Sequence, residues 1–327
     1  MEPHRWAAQD GLERGSIEVA GVQRTFWLAR APEPGQRAGR RERSHAPLLI
    51  VLHGSGMDGR NMARFTGLAK RGPAAGITTV FPDGWKGGWH TVRAPDREPH
   101  LDDTLFLGAL SSHLEVVGAA QAWPVFLAGV SSGAWFAEHV ARHGLLPVAG
   151  LFLVAGTALE VSRRVAPVPL LHTPTTLIMG TGDRAVPYQG GRLSRRGLSG
   201  LLLRRRGWRH GELPGEDVVA GAEAIAADWA KGNGIGTGPS IEELPHDPSD
   251  PADLPVTRMA WSAPGCHPVT LYRIDGGGHG WPGSPELLPA RVAGPITKTL
   301  DATGILLDMA ESDEHVTAVG RTLGAGS

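Results

Sequence analysis

The feature that most constrains the fold is a series of short apolar runs that alternate with helical patterns. The segments "PLLIVLHG", "PVFLAGVS" and "GLFLVAG" are nearly continuous apolar runs, as strands buried on both faces are. Similar runs end in Gly, Asp or Ser, and helical stripes fall between several of them. This alternation predicts an α/β fold with a mostly parallel central sheet covered by helices on both faces.

The ends of the sheet and three of its helices are also predicted. The runs "SIEVAG" and "QRTFWLARAP", separated by Gly21, indicate an opening hairpin. An apolar stripe with helical spacing follows Asp102 and Asp103, either of which can cap the start of the helix. Two later helices are predicted, one with a stripe from Val218 to Trp229 and one that starts at Asp301.

Composition narrows the class of protein. The chain has 327 residues and a formal net charge of -1, so no overall field favours nucleic acid or an anionic membrane. No apolar run is long enough to span a bilayer, and the opening "MEPHRWAAQDGLERG" lacks the apolar segment of a secretory signal. Cys266 is the single cysteine, which excludes an internal disulfide. A cytoplasmic protein is expected, with homo-oligomerisation left open.

We expect one domain, because no composition shift is large enough to force a boundary. It is predicted to cover residues 16–312, after an extension over residues 1–15 and before a tail over residues 313–327. Residues 190–216 form an arginine-rich insertion, "GGRLSRRGLSGLLLRRRGWRHGELPGE". Two interpretations of this insertion stay open: a solvated surface loop, or a lid or subunit contact beside the functional site.

A serine between two glycines stands at the end of one predicted strand, in "LAGVSSGAWFAEHV". A strand, a G-x-S-x-G turn and a helix form a nucleophile elbow, in which the serine projects from a strained turn. The five residues alone are equally consistent with an ordinary turn, because Gly and Ser are common in turns. The flanking strand and helix favour Ser131 as a nucleophile, with the positive end of the helix beneath it.

A serine nucleophile needs a general base and a carboxylate that orients the base. Asp183 closes the strand "TTLIMGTGD", and His279 follows the strand "VTLYRIDGGG". Both lie at carboxyl ends of predicted strands, where functional side chains of such sheets gather. Asp275 and Asp228 compete with Asp183, but Asp275 is too near His279 in sequence and Asp228 is predicted on a helix surface. Ser131, Asp183 and His279 are therefore the predicted catalytic residues.

A glycine-rich turn, His53-Gly54-Ser55-Gly56, follows the strand "PLLIVL". Backbone N–H groups of Ser55 or Gly56, together with that of Ser132, are predicted to form an oxyanion hole for an attacked carbonyl. His53 is expected to shape this turn through hydrogen bonds of its imidazole. No histidine–carboxylate cluster has the spacing of metal ligands, so neither a metal nor an organic cofactor is expected.

Six segments carry a family resemblance: "LLIVLHGSG", "VFPDGWKGGWH", "HLDDTLFLGAL", "LAGVSSGAWFAEHVA", "GTGDRAVPYQGG" and "LYRIDGGGHGWPGS". Together they resemble the polyhydroxybutyrate depolymerase and feruloyl esterase group of α/β-hydrolases, from about Ile17 to about Glu311. The resemblance implies the α/β-hydrolase fold and hydrolysis of carboxylic esters by the same three residues. It also implies that Trp89 and Trp281 line the substrate-binding cleft.

The chain departs from this group within the elbow, because Ser132 occupies a position that is often Asn. Secreted members usually carry disulfides, which a chain with one cysteine cannot form within itself. We therefore expect a serine esterase that hydrolyses a carboxylic ester of a small soluble substrate through an acyl-enzyme on Ser131. Two alternatives stay open: an acyltransferase or thioesterase with the same three residues, and a non-catalytic binding protein that retains the fold.

Overall fold

Eleven strands form one mixed sheet within the residues that the computed structural model describes, which are 7–9, 11–32, 47–90, 102–118, 124–193, 218–285 and 290–312. A separate two-stranded ribbon joins β9 (Gly191–Arg192) to β10 (Val218–Val219). The strands of the large sheet are β1 (Ala7–Gln9), β2 (Leu12–Val19), β3 (Val22–Ala29), β4 (Leu48–Leu52), β5 (Thr78–Pro82), β6 (Val125–Val130), β7 (Gly150–Val154), β8 (Thr175–Gly180), β11 (Ser240–Leu244), β12 (Val256–Trp261) and β13 (Val269–Ile274).

The strand order is β1-β2-β3-β5-β4-β6-β7-β8-β13-β12-β11. The central strands, from β5 to β13 in this order, pair in parallel, so their carboxyl ends meet at one edge of the sheet. Antiparallel strands complete both ends, β1 to β3 on one side and β12 with β11 on the other. The predicted fold class, with its mostly parallel sheet, is confirmed.

Helices cover both faces of the sheet. They are α1 (Gly59–Phe65), α2 (Leu68–Ala74), α3 (Asp103–Val116), α4 (Ser132–Arg142), α5 (Glu160–Val165), α6 (Ala222–Gly232), α7 (Ala290–Ala293) and α8 (Ala302–Glu311). Alternate side chains of each central strand enter opposite layers, because successive side chains of a strand point to opposite faces. In β4, for example, Ile50 packs in the layer of α3, α4 and α6, whereas Val51 packs in that of α1, α2 and α8.

Most predicted elements are present, and two differences have clear physical reasons. The opening hairpin and the helix capped by Asp102 form as predicted. Val218 was expected in a helix, but it lies in β10, where it pairs with Arg192, and α6 begins only at Ala222. The sheet also begins before the predicted boundary at residue 16, because β1 pairs with the first residues of β2. Strands β11 and β12 were not predicted.

Two predicted segments lie mainly outside the described residues. These are the greater part of the arginine-rich insertion and the tail over residues 313–327. The β9–β10 ribbon pairs the start of the insertion with residues that follow its end. Within the described ranges, no helix is long and apolar enough to cross a membrane.

Candidate active site

Ser131 stands on a strained turn between β6 and α4. Its backbone has φ 56° and ψ -121°, a conformation that non-glycine residues rarely adopt. Glycine is required on both sides, because a Cβ atom on Gly129 would lie 2.4 Å from the backbone of Gly133. A Cβ atom on Gly133 would lie 2.4 Å from the carbonyl oxygen of Leu52. The G-x-S-x-G pattern therefore follows from close backbone contact within the elbow at Gly129 and between Gly133 and the end of β4.

The turn formed by residues 53–56, which follows β4, lies beside Ser131. A Cβ atom on Gly54 would lie 3.4 Å from Ser131 Cβ, and the Ser131 side chain is partly exposed. The N–H of Ser131 donates to the Val154 carbonyl at 3.0 Å, which ties the elbow to the end of β7. Because α4 begins at Ser132, the positive end of a helix dipole lies at the elbow, where it favours developing negative charge.

Asp183 and His279 are hydrogen-bonded to each other across two turns. His279 Nδ1 lies 2.7 Å from Asp183 Oδ2, and the Asp183 side chain is fully buried while that of His279 is 16% exposed. The other carboxylate oxygen, Oδ1, accepts the N–H groups of Ala185 and Val186 at 2.8 and 2.9 Å. Both oxygens are therefore held, and the carboxylate is aimed at the imidazole.

Glycines allow these two turns to approach each other. Gly182 N–H donates to the Gly277 carbonyl at 2.9 Å, and a Cβ atom on Gly180 would lie 2.2 Å from the same oxygen. The N–H of His279 donates to the Ala293 carbonyl at 2.6 Å, which fixes the backbone from which the imidazole extends. The Asp183–His279 contact is thus built by backbone packing that side chains at these glycines would prevent.

Sheet topology accounts for the common location of the three residues. Ser131 follows β6, Asp183 follows β8 and His279 follows β13, and these strands belong to the parallel part of the sheet. Their carboxyl ends therefore share one edge, as expected for the functional edge of such a sheet. A partly exposed hydroxyl on a strained turn, a buried carboxylate and a bound imidazole are the groups that nucleophilic acyl chemistry uses.

The predicted oxyanion donors differ in availability. The N–H of Gly56 donates to the Gly87 carbonyl at 2.8 Å, so Gly56 cannot serve as predicted: its donor is used to hold a neighbouring turn. Within the described part of the chain, the N–H groups of Ser55 and Ser132 have no protein acceptor. The Ser55 hydroxyl donates to the Ser132 hydroxyl at 2.8 Å, which joins the two turns that carry these N–H groups.

Neither predicted substrate-lining tryptophan faces a cleft. Trp281 is fully buried, and its indole N–H donates to the Thr303 hydroxyl at 2.9 Å. Trp89 is 3% exposed, stacks on Phe136 with ring centroids 5.3 Å apart, and donates to the His53 carbonyl at 2.8 Å. Both indoles pack the core because each finds an apolar neighbour and a hydrogen-bond acceptor there. The substrate-lining interpretation of these residues is corrected accordingly.

His53 shapes the 53–56 turn, as the sequence predicts. Its Nε2 accepts the N–H of Gly84 at 2.9 Å, so Nδ1 carries the proton and donates to the Gly54 carbonyl at 2.8 Å. Burial lowers the pKa of His53, which favours the neutral form of the imidazole. Both nitrogens of a neutral, fully buried imidazole are therefore engaged in holding the backbone.

The competing aspartates have partners of their own. Asp275 binds Arg273 through both carboxylate oxygens, at 3.0 and 3.2 Å. Asp228 binds Arg163 at 2.7 and 3.1 Å and approaches Arg142 at 3.4 Å. Each is therefore occupied in ion pairs.

Among the described residues there is also no group of three or more His, Cys, Asp or Glu side chains that could hold a metal ion.

Comparison with known proteins gives one similar curated sequence and many similar folds. No family model matches the chain, so membership of the predicted depolymerase and feruloyl esterase group stays a prediction. A protein of Nocardia uniformis subsp. tsuyamanensis named "Putative esterase NocK" is 28% identical over 299 residues, which are 89% of this chain and 80% of that protein.

Among solved structures, an acetyl xylan esterase from Aspergillus awamori aligns with a TM-score of 0.51. It is 11% identical, and the alignment covers 82% of this chain and 94% of that one. At this identity the likeness concerns the fold alone. With the strand order and elbow described above, it shows that the chain has the α/β-hydrolase fold.

Proposed function

We propose that this protein is a serine hydrolase that cleaves carboxylic esters through an acyl-enzyme on Ser131. The observation that carries the proposal is the 2.7 Å contact between His279 Nδ1 and buried Asp183, at the sheet edge where Ser131 stands on its strained turn. The similar Nocardia protein, named as an esterase, supports the same reaction class.

In the first half of the reaction, His279 takes the hydroxyl proton of Ser131 as the oxygen attacks the ester carbonyl. Asp183 fixes the ring with Nδ1–H directed at its own oxygen, which leaves Nε2 as the base, and its negative charge stabilises the imidazolium that forms. The N–H groups of Ser55 and Ser132 bind the oxyanion, each contributing about 3 kcal/mol of transition-state stabilisation.

In the second half, His279 gives its proton to the departing alcohol and then activates a water molecule that releases the acid. Ser131 is the N-cap residue of α4, but its hydroxyl makes no capping hydrogen bond to the helix. Apart from the ester and this water molecule, no step requires a group beyond these side chains and backbone donors.

A fluorophosphonate probe and a chromogenic ester test this function. We expect the wild-type protein to hydrolyse p-nitrophenyl acetate to free acid and to be labelled once, on Ser131. Ser131→Ala should lose labelling and lower kcat/KM by about 10⁴-fold or more. Ser112→Ala, a change at an exposed serine of α3, is the matched control and should leave both unchanged. Full activity in Ser131→Ala would overturn the proposal.

A further inference from the structure

A cavity of about 400 Å³ lies beside the 53–56 turn, a volume within the usual range of small-molecule sites. It is formed by residues that follow the carboxyl ends of two neighbouring parallel strands, β4 and β5. Its lining residues are Met57, Asp58, Asp83, Gly84, Lys86 and Gly87.

The walls of this cavity are fixed relative to the proposed oxyanion donors. The N–H of Gly84 donates to His53 Nε2 at 2.9 Å, and the N–H of Gly56 donates to the Gly87 carbonyl at 2.8 Å. These bonds join the turn after β5 to the turn that carries Ser55. The cavity is therefore held in a fixed position beside the turn that carries Ser55.

The cavity lies beyond the carboxyl ends of β4 and β5, and this position determines which half of an ester it can hold. In the strand order, β4 and β5 lie on one side of β6, whereas β13 lies on the other side, beyond β7 and β8. The cavity and His279 are therefore on opposite sides of Ser131. Because His279 must protonate the leaving alcohol, the alcohol lies on its side, and the acyl group extends toward the cavity.

The side chains that line the cavity carry both positive and negative charges, and these charges do not form an ion pair with each other within the described ranges. Lys86 is exposed, and its ammonium has no ion pair or hydrogen bond within the described ranges. Asp58 uses one oxygen to cap α1, accepting the Asn61 N–H at 2.8 Å, and its second oxygen has no donor there. Both oxygens of Asp83 are taken, one by the Gly59 N–H at 2.7 Å and one by the Thr25 hydroxyl at 2.5 Å.

The backbone of Lys86 is fixed in a turn, which defines the point from which its side chain extends. Lys86 has φ 51° and ψ 31°, a left-handed conformation that is uncommon for lysine. The turn is closed on both sides of it, by Gly87 N–H to the Gly84 carbonyl at 3.0 Å and Gly88 N–H to the Trp85 carbonyl at 3.1 Å. Strained residues of this kind cluster at ligand-binding sites.

From these observations we propose that the cavity is the acyl-binding subsite. It selects acyl groups whose far end carries both an ammonium and a carboxylate, as the α-carbon of an amino acid does. Lys86 binds the carboxylate, and the open oxygen of Asp58 binds the ammonium. This inference rests on the esterase function proposed above and names its substrate class.

Four p-nitrophenyl esters with the same chain length test it. Their acyl groups are octanoyl (neutral), the octanedioic half-ester (carboxylate end), ω-aminooctanoyl (ammonium end) and α-aminooctanedioyl linked through its distal carboxyl group (both charges). We expect kcat/KM to be highest for the zwitterionic ester, about tenfold above octanoyl, because two charge-assisted contacts form in an open cavity.

Two variants assign the contacts. Lys86→Met should lower the preference for the zwitterionic over the octanoyl ester about threefold. Asp58→Asn should lower it by a similar factor while keeping the helix cap, since Asn is an equally good cap residue. Lys70→Met, at an exposed lysine of α2, is the matched control and should leave the preference unchanged.

The outcomes separate this inference from the proposed function. Equal kcat/KM for all four esters, or a maximum for the half-ester or the aminooctanoyl ester, overturns the zwitterion subsite while Ser131-dependent hydrolysis still stands. A preference that neither Lys86→Met nor Asp58→Asn changes also overturns it. Hydrolysis of every ester by Ser131→Ala at the wild-type rate overturns the esterase function itself.

Discussion

Two aspartate–histidine pairs of this protein look alike in distance and burial. His279 Nδ1 lies 2.7 Å from Asp183 Oδ2, and His90 Nδ1 lies 3.0 Å from Asp103 Oδ2. Both carboxylates are fully buried, and the two imidazoles are 16% and 12% exposed. Judged by distance and burial alone, either histidine could be a general base that is oriented by a carboxylate.

The two aspartates differ in what else they bind. The second oxygen of Asp183 accepts only neutral backbone N–H groups, so its negative charge remains available to the imidazole. The second oxygen of Asp103 pairs with the buried guanidinium of Arg24, and Asp103 also accepts the backbone N–H of His90 at 2.7 Å. Asp103 is therefore neutralised and ties β3 to α3 and to His90.

The comparison teaches that charge balance separates a catalytic pair from a structural one when distances do not. An imidazolium forms during acyl transfer, and an uncompensated carboxylate stabilises it. A carboxylate that already forms an ion pair with a buried arginine does not have an uncompensated charge that could stabilise an imidazolium.

The largest effect is expected from removal of the two imidazoles. His279→Ala should lower kcat/KM for p-nitrophenyl acetate by about 10⁴- to 10⁶-fold, because the base is lost. His90→Ala should leave it within about threefold of wild type, since only a structural contact is lost. Thermal unfolding of both variants checks that they are folded. A loss in His90→Ala as large as that in His279→Ala would remove the distinction.

Replacing each of the two aspartates by asparagine should have a different consequence, one for activity and one for stability. Asp183→Asn should lower kcat/KM about 10⁴-fold with little change in stability, because the imidazole is no longer held in the productive tautomer. Asp103→Asn should instead lower the free energy of unfolding by about 3–5 kcal/mol, because it leaves the buried charge of Arg24 without a partner. Urea denaturation and activity per folded molecule measure the two effects. A catalytic defect in folded Asp103→Asn contradicts the comparison.

Acid pH should destabilise the protein through histidines outside both pairs. Burial, with repulsion from His143 and Arg142, lowers the pKa of His139 to about 3. The unfolded chain binds this proton near its ordinary pKa of about 6.5, so the contribution to stability is complete above that pH. As the pH falls from about 6.5 toward 3, the free energy of unfolding should drop by up to about 1.4 kcal/mol per pH unit for this histidine.

Urea denaturation at several pH values measures this slope, and His139→Gln should flatten it. A wild-type stability that rises on acidification contradicts the assignment. The result gives the pH below which unfolding of the protein lowers activity. Activity of the pair variants is therefore best compared above that pH.

The smallest effect is expected from a hydrogen bond that supports the site without changing its charge. Ser55→Ala removes the 2.8 Å bond to the Ser132 hydroxyl but keeps the Ser55 N–H. A loss of about 1 kcal/mol corresponds to a roughly fivefold lower kcat/KM. Steady-state kinetics beside the Ser112→Ala control measures it. A loss as large as that of Asp183→Asn would contradict the supporting role given to the Ser55 hydroxyl.

Much of the fold and part of the site could be predicted from local pattern. Continuous apolar runs predicted the buried parallel strands, since burial on both faces requires apolar side chains at every position. The glycines around Ser131 marked a turn that must approach β4 closely, and strand ends located Asp183 and His279. Strands β11 and β12, at one end of the sheet, were not predicted. The edge strand β11, with its exposed sequence "SIEEL", gains its strand structure from pairing with β12 rather than from apolar content.

By itself, then, the sequence determined the layered α/β class and the position of three chemically able side chains at strand ends. Both depend on residues that are neighbours in the chain. Only the tertiary structure decided that the Gly56 N–H is used by Gly87, that Trp89 and Trp281 are core residues, and that Asp103 carries a buried arginine. Hydrogen-bond donors, buried surface and charge are assigned by partners distant in sequence, which no local pattern specifies.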